Sequence, residues 1–194
     1  MDNTFYALIS RMRNITRWSL MRNTYSENIQ EHSHMVAVIA HALAVIRRDV
    51  YGIDCDPGNV AAAALLHDAS EIFTGDMPTP VKYLNGDIKS AYKSVEALAS
   101  EKLLDSLPEE MRGAYAPLLN VADETEAKLI KAADTVSAYI KCLEELKMGN
   151  NEFRSAAAQT RRKLDSMDMP EVKYFLDRFI ESFELTLDEL SLGL

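Results

Sequence analysis

Two cysteines, Cys55 and Cys142, are all that this 194-residue chain carries, and they form no CxxC pair. A disulfide framework and a thiolate metal cage are thereby excluded. What remains is two reduced thiols beside apolar or helical stretches, as expected of a cytoplasmic protein. Long apolar runs are missing too. The longest, Met35 to Ile46, is interrupted by His41 and is too short to span a bilayer. The N-terminus lacks the basic start and apolar stretch of a signal peptide, so no membrane association is expected. Positive charge is scarce: 21 Lys and Arg stand against 30 Asp and Glu, for a net charge of −9, which argues against binding long nucleic acid through a general basic surface. Convincing period-2 alternation, internal repeats and low-complexity linkers are absent. No histidine follows His67.

What is present reads as one all-α domain over residues 1–194. Hydrophobic content of 47% and charged content of 26% are those of an ordinary globular protein with enough chain for its own core. Thr4 stands where a cap would open a helix with Phe5, Leu8, Ile9 and Met12 on one face. That first helix is expected to run on through Arg17 and Trp18, before a polar loop from Arg22 to Asn28. The next helix, about Glu31 to Arg48, is apolar nearly all round and should be central. Asp56-Pro57 caps and opens a third helix that is expected to carry His67 and Asp68, and the prolines of Gly75 to Pro80 end it. Further helices are expected at roughly Ile88–Leu107, Glu109–Leu119, Glu126–Met148, Asn151–Ser166 and Glu171–Phe183, with Gly149-Asn150-Asn151 as a turn. Phe175, Phe179 and Phe183, four residues apart, read as core.

The chemistry concentrates in Leu65-Leu66-His67-Asp68-Ala69-Ser70-Glu71. At about 100° per residue His67, Asp68 and Glu71 fall at about 0°, 100° and 40°, on one arc of a helix. Taken alone, the group fits either a buried metal site or a polar stripe facing water. His32 and Asp134 are the candidates to complete a site. Asp134 is an aspartate in mid-helix among small apolar residues, which invites a functional reading, with an ion pair to Lys131 as the bland alternative. His34 and His41 share another face of the central helix and read as packed or partly exposed. The segment from Met1 to Asn23 holds Arg11, Arg13, Arg17 and Arg22 against Asp2, a basic end that is either solvated surface or an anchor for one small anion.

The order His32, His67-Asp68, Asp134 resembles the H…HD…D signature of the HD-domain metal-dependent phosphohydrolases, an all-helical superfamily. Arg17-Trp18, Glu27-Asn28, Glu31-His32-Ser33, His67-Asp68-Ala69-Ser70-Glu71, Gly75-Asp76-Met77-Pro78-Thr79-Pro80 and Lys131-Ala132-Ala133-Asp134 are similar to the bacterial 5′-deoxynucleotidase branch, over nearly the whole chain. His34 and Thr24 depart from that branch, and the region after Phe153 matches loosely. The resemblance implies that His32, His67, Asp68 and Asp134 hold a metal. Mixed N/O donors suit Co²⁺ or Mn²⁺ first, with Zn²⁺ or Fe²⁺ also compatible. Binuclear relatives add two histidines between the His-Asp pair and the last aspartate; none is present here, so one cation is expected.

The same resemblance implies hydrolysis of deoxyribonucleoside 5′-monophosphates to nucleoside and phosphate by a cation-activated water. Glu71 orients that water or moves its proton, or else only positions His67 or Asp68. Arg17 meets the phosphate, and His32, Asp68 and Asp134 touch the substrate as well as the metal. Trp18 lies against the sugar and disfavours a 2′-hydroxyl; by its sequence neighbourhood alone it could equally be a core aromatic. Asp76, Met77, Pro78 and Thr79 contact the nucleotide, Asp76 accepting from the 3′-hydroxyl or helping with proton transfer. A homodimer is implied by family analogy alone. Two other readings stay open: an HD phosphohydrolase acting on a triphosphate or signalling nucleotide, and a non-catalytic nucleotide-binding module. Scarce cations beyond the N-terminus weigh against the first, because extra phosphates need extra positive partners.

Overall fold

In the computed structural model, which describes residues 3–82 and 84–190 (the side chains of Thr79 and Pro80 excepted), the chain begins with a short helix α1 (Phe5–Ile9) running into a 3₁₀ turn (Ser10–Asn14). Thr4 sits at its start, but its side chain makes no capping bond. The helix does not reach Arg17 and Trp18. Ile15 is extended, and Thr16 forms an isolated antiparallel bridge with Asn28, the one β-type pairing among the described residues. Two bonds, Arg17 N–H to Glu27 O at 2.9 Å and Ile29 N–H to Ile15 O at 3.0 Å, close the neck of a loop over residues 17–28. Trp18 takes a left-handed φ of 58°, which for a bulky side chain costs about 1–3 kcal/mol and persists only where the surroundings hold it.

Helix α2 (Ile29–Val45) starts at Asn28 because Asn28 and Glu31 form a reciprocal capping box. Its apolarity is explained by its place. Val36, Ile39, Ala40 and Leu43 are buried against α3 (Pro57–Leu65) and α8 (Glu124–Lys147), with α10 (Pro170–Phe179) closing the core through Val172, Phe175 and Leu176. By length and hydropathy Ile29–Val50 could cross a membrane, yet more than half of its most apolar window is buried inside the fold. His34 and His41 lie on its exposed side, as their shared face implied.

The remaining elements are α4 (Glu71–Thr74), α5 (Thr79–Lys82), α6 (Gly86–Asp105), α7 (Glu109–Leu119) and α9 (Arg154–Asp165). Phe5, Met12, Ile29, Ala69, Leu103 and Leu107 form a second core that packs α1 and α6 under the turn at residues 66–70. The all-α expectation holds throughout. Asp56 caps α3 by accepting from the N–H groups of Gly58 and Asn59, and Gly149 turns with φ 85° after α8. The C-terminal helix is shorter than its apolar spacing indicates. It gives way after Phe179 to a 3₁₀ turn, Ile180–Glu184, so Phe179 is exposed while Phe175 stays buried.

Candidate active site

The His-Asp pair does not lie in a helix. α3 stops at Leu65, and the segment to Glu71 is a chain of tight turns in which Leu66, His67, Ala69 and Glu71 N–H groups bond three residues back. The reason is local. Nδ1 of His67 lies 2.7 Å from the Ala64 carbonyl, occupying the acceptor that a continuing helix would offer to Asp68 N–H. A carbonyl only accepts, so Nδ1 donates there and Nε2 is the ring atom turned towards Asp68. Ala69, fully buried in the second core, then anchors the turn from below.

This turn sets His67 Nε2 3.1 Å from Asp68 Oδ2 and brings both against His32 on α2, whose Nε2 is 3.7 Å from Asp68 Oδ2 and 3.2 Å from Asp134 Oδ1. Ligating atoms of His32, His67 and Asp68 lie within 4.8 Å of one another. Asp134, on α8, joins through His32, and its other oxygen accepts from Lys131 Nζ at 2.6 Å. The ion pair to Lys131 is thus present on one oxygen, while the other faces His32. The fit to a divalent cation rests on valence left over. Nε2 of His32 and Nε2 of His67 are buried without a hydrogen-bond partner, beside two carboxylates. Leaving such atoms unpaired costs about 1–3 kcal/mol each, a cost that coordination by a hard or borderline cation would remove.

Charge around this group is strongly coupled. Burial pushes the Asp68 carboxyl up, but the His67 and His32 imidazoles outweigh it and hold it at about 2. Asp134 is likewise held well below the carboxylate range: burial is overcome by His32 and Lys131. Glu71 goes the other way. Burial, with the negative Asp68 and Asp76 nearby, pushes it up to about 9, so its carboxyl holds a proton at neutral pH until positive charge arrives.

The site opens into a cleft of about 880 Å³. Arg17 enters from the loop neck, with Nη1 3.4 Å from Asp68 Oδ2 and Nε 3.2 Å from Glu27 Oε2. Trp18 Nε1 donates to the same Glu27 oxygen at 2.9 Å, and its ring packs on Phe153 with centroids 5.3 Å apart. Asp76 is half-buried and accepts from the Trp18 backbone N–H. Asp76, Met77 and Pro78 line the cleft together with residues of α9. Thr79 lies in α5, and its side chain falls outside the described residues.

Several groups to which the sequence assigned no role at the site stand in the cleft. Lys82, Lys131, Lys163 and Gln159 also line the cleft, so the scarcity of cations beyond the N-terminus is not a feature of the site itself. Lys82 is paired with Glu96 and Lys131 with Asp134, however, so two of those charges are already matched within the protein. Glu27, present in the motif Glu27-Asn28, was given no role, yet it joins Arg17 to Trp18. An indole N–H at a partly buried position needs an acceptor, which was a legible signal, but not which acidic residue would supply it.

A model of the 5′-deoxynucleotidase YfbR-like family matches residues 4–183. The chain belongs to that family. A 5′-deoxynucleotidase of Erwinia tasmaniensis is 48% identical over 96% of this chain and 96% of its own length. An HD-domain phosphohydrolase from Listeria innocua has a similar structure, with TM-score 0.79 and 26% identity over 93% of this chain and 88% of that one. The fold is shared by the cyanophage S-2L HD phosphohydrolase, solved with dA and one catalytic Zn²⁺, at TM-score 0.62 and 23% identity over 94% and 99% of the two chains. As a YfbR-like protein the chain is a 5′-deoxynucleotidase, a hydrolase of phosphoric monoesters, and its His/Asp group is suited to a metal ion.

Just beyond this YfbR-like cleft, α8 carries a buried ion pair whose pH dependence can be checked. Glu145 is fully buried and accepts from Lys141 Nζ, Asn150 Nδ2 and Thr24 N–H. Burial alone would raise its carboxyl; those donors outweigh it and hold it at about 2 against an ordinary 4.5. A depressed folded pKa means that the stabilisation, roughly 3 kcal/mol, is complete above pH 4.5 and is lost as pH falls towards 2. Urea unfolding at pH 7 and pH 3 should show this loss in the wild type and a clearly smaller one in Glu145→Gln. Equal losses in the two proteins would contradict it.

Proposed function

We propose that the 5′-deoxynucleotidase reaction is carried here by one divalent cation held by His32, His67, Asp68 and Asp134, Co²⁺ or Mn²⁺ before Zn²⁺ or Fe²⁺. The observation that carries this reading is the pair of buried, partnerless Nε2 atoms of His32 and His67 facing two carboxylates. When bound, such a cation offsets charge on the phosphoryl oxygens and lowers the pKa of a coordinated water.

The chain's own groups do the rest. Arg17 is held between Glu27 and Asp68, and it offers a planar set of donors to the 5′-phosphate without having to be ordered on binding. His32, Asp68 and Asp134 face the same phosphate. Glu71, buried one turn beyond Asp68, orients the attacking water and takes its proton once positive charge has drawn its carboxyl back down. Asp76 accepts from the 3′-hydroxyl, and Met77, Pro78 and Thr79 contact the nucleotide. Trp18 lies against the sugar, where a 2′-hydroxyl would be desolvated on the indole without a partner. One domain carries the whole reaction. Free thiols at Cys55 and Cys142 suit a reducing cytoplasm. Assembly as a homodimer follows the family, and every residue assigned here comes from a single chain.

The substrate assignment turns on Trp18. Trp18→Ala should lower the ratio of kcat/KM for dAMP over AMP by about tenfold, chiefly through faster AMP cleavage. An unchanged ratio in a folded, cation-loaded variant would remove Trp18 from the sugar site.

A further inference from the structure

Trp18 stands in a left-handed conformation on a loop whose tip makes its bonds to α8 and to the turn that follows it. Glu145, with no exposed surface, accepts from Thr24 N–H at 2.9 Å and from Asn150 Nδ2 at 2.7 Å. Asn150 Nδ2 also donates to Arg22 O at 2.7 Å, and Lys141 Nζ bonds Glu145 at 2.5 Å and Tyr25 O at 2.8 Å. Inside the loop, Asn23 Nδ2 reaches back to Trp18 O at 3.3 Å, and Met21 N–H donates to the same carbonyl at 2.9 Å. Asn150 further caps the 3₁₀ turn Asn151–Phe153 through Glu152 N–H, and Phe153 is the ring on which Trp18 rests. One buried carboxylate thus ties together the loop that carries Trp18 and the turn that backs it. It lies outside the cleft lining and touches none of the residues assigned to the cation.

We infer that Glu145 is a positioning residue for sugar selection: through Thr24, Asn150 and Lys141 it locks Trp18 against Phe153 and so sets the discrimination between deoxyribose and ribose. This rests on the reading of Trp18 as the group that meets the sugar. A fixed ring excludes the extra hydroxyl, whereas a ring free to shift by an ångström or so admits it, and displacements of that size cost up to about 10²-fold in rate. Glu27 Oε2 accepts from both Arg17 Nε and Trp18 Nε1 at the loop neck, so it fixes one edge of the indole, while the Glu145 lock acts on the Trp18 carbonyl side and on Phe153.

Trp18 is the only tryptophan, so its fluorescence reports the lock directly. The test uses Zn²⁺-loaded Glu145→Gln and Asn150→Ala alongside the wild type and Trp18→Ala. Acrylamide quenching of Trp18 is measured in the first three, and kcat and KM for dAMP and AMP in all four. In Glu145→Gln, quenching should rise and the dAMP-over-AMP ratio of kcat/KM should fall on the order of tenfold, with cation content unchanged. Asn150→Ala should move both readouts the same way and carries the test if Glu145→Gln does not fold. Wild-type quenching or a wild-type ratio in a folded variant, with the ratio lost in Trp18→Ala, overturns the lock while leaving the role of Trp18 standing. An unchanged ratio in Trp18→Ala overturns both.

Discussion

Asp68→Ala is expected to abolish cation binding and to lower dAMP hydrolysis by about 10³-fold or more, while the protein stays folded. Asp68 Oδ2 is the oxygen on which the site converges: His67 Nε2 is 3.1 Å away, Arg17 Nη1 3.4 Å and His32 Nε2 3.7 Å. Removing it takes away a ligand and the negative charge on which Arg17 and the two imidazoles converge. Charge stabilisation by a metal is worth several kcal/mol at the transition state, and each 1.36 kcal/mol is about a factor of ten. Folding should survive because Asp68 sits on a turn anchored by its neighbour Ala69, not in the apolar core. His67→Ala should behave alike. Metal content by elemental analysis and phosphate release from dAMP are the two readouts; near-wild-type values of both would remove the His-Asp pair from the site.

Glu71→Gln is the second large effect. Its carboxyl is buried, has one oxygen without a partner, and carries no assigned ligand role. The amide keeps the size and loses the ability to take a proton. The expected outcome is full cation content, an unchanged KM and a kcat lower by about 10²–10⁴, the usual worth of a placed general base. A variant that lost metal instead, with kcat restored by excess cation, would make Glu71 a group that positions His67 or Asp68.

Much of this was legible in the chain itself, and the failures have a common cause. Apolar spacing located α2, α7 and α8 to within a few residues, since long helices bury one face and repeat. Asp56-Pro57 marked the start of α3 and Gly149 the end of α8 through local chemistry that needs no tertiary partner. The breaks at Leu65 and before Arg17 were invisible to spacing because polar contacts that leave no apolar period impose them: a histidine side chain capturing the Ala64 carbonyl, and a two-bond pairing with Glu27 and Ile29. Among the site residues, the motif carried His32, His67, Asp68 and Glu71, which the fold does bring together. Lys163 and Gln159 carry no motif and reach the cleft only because α9 packs on α8. Glu145 looked like one more charge on a helix, and only the packing of the 17–28 loop onto α8 reveals it as buried.

Phosphate release from dAMP and AMP, measured side by side with one Co²⁺ or Mn²⁺ bound per chain, tests the central claim most directly. Turnover of dAMP that saturates at one cation per chain, with AMP cleaved at least tenfold more slowly, is the expected result. Equal rates for the two nucleotides, or full dAMP turnover in protein stripped of metal, would contradict it.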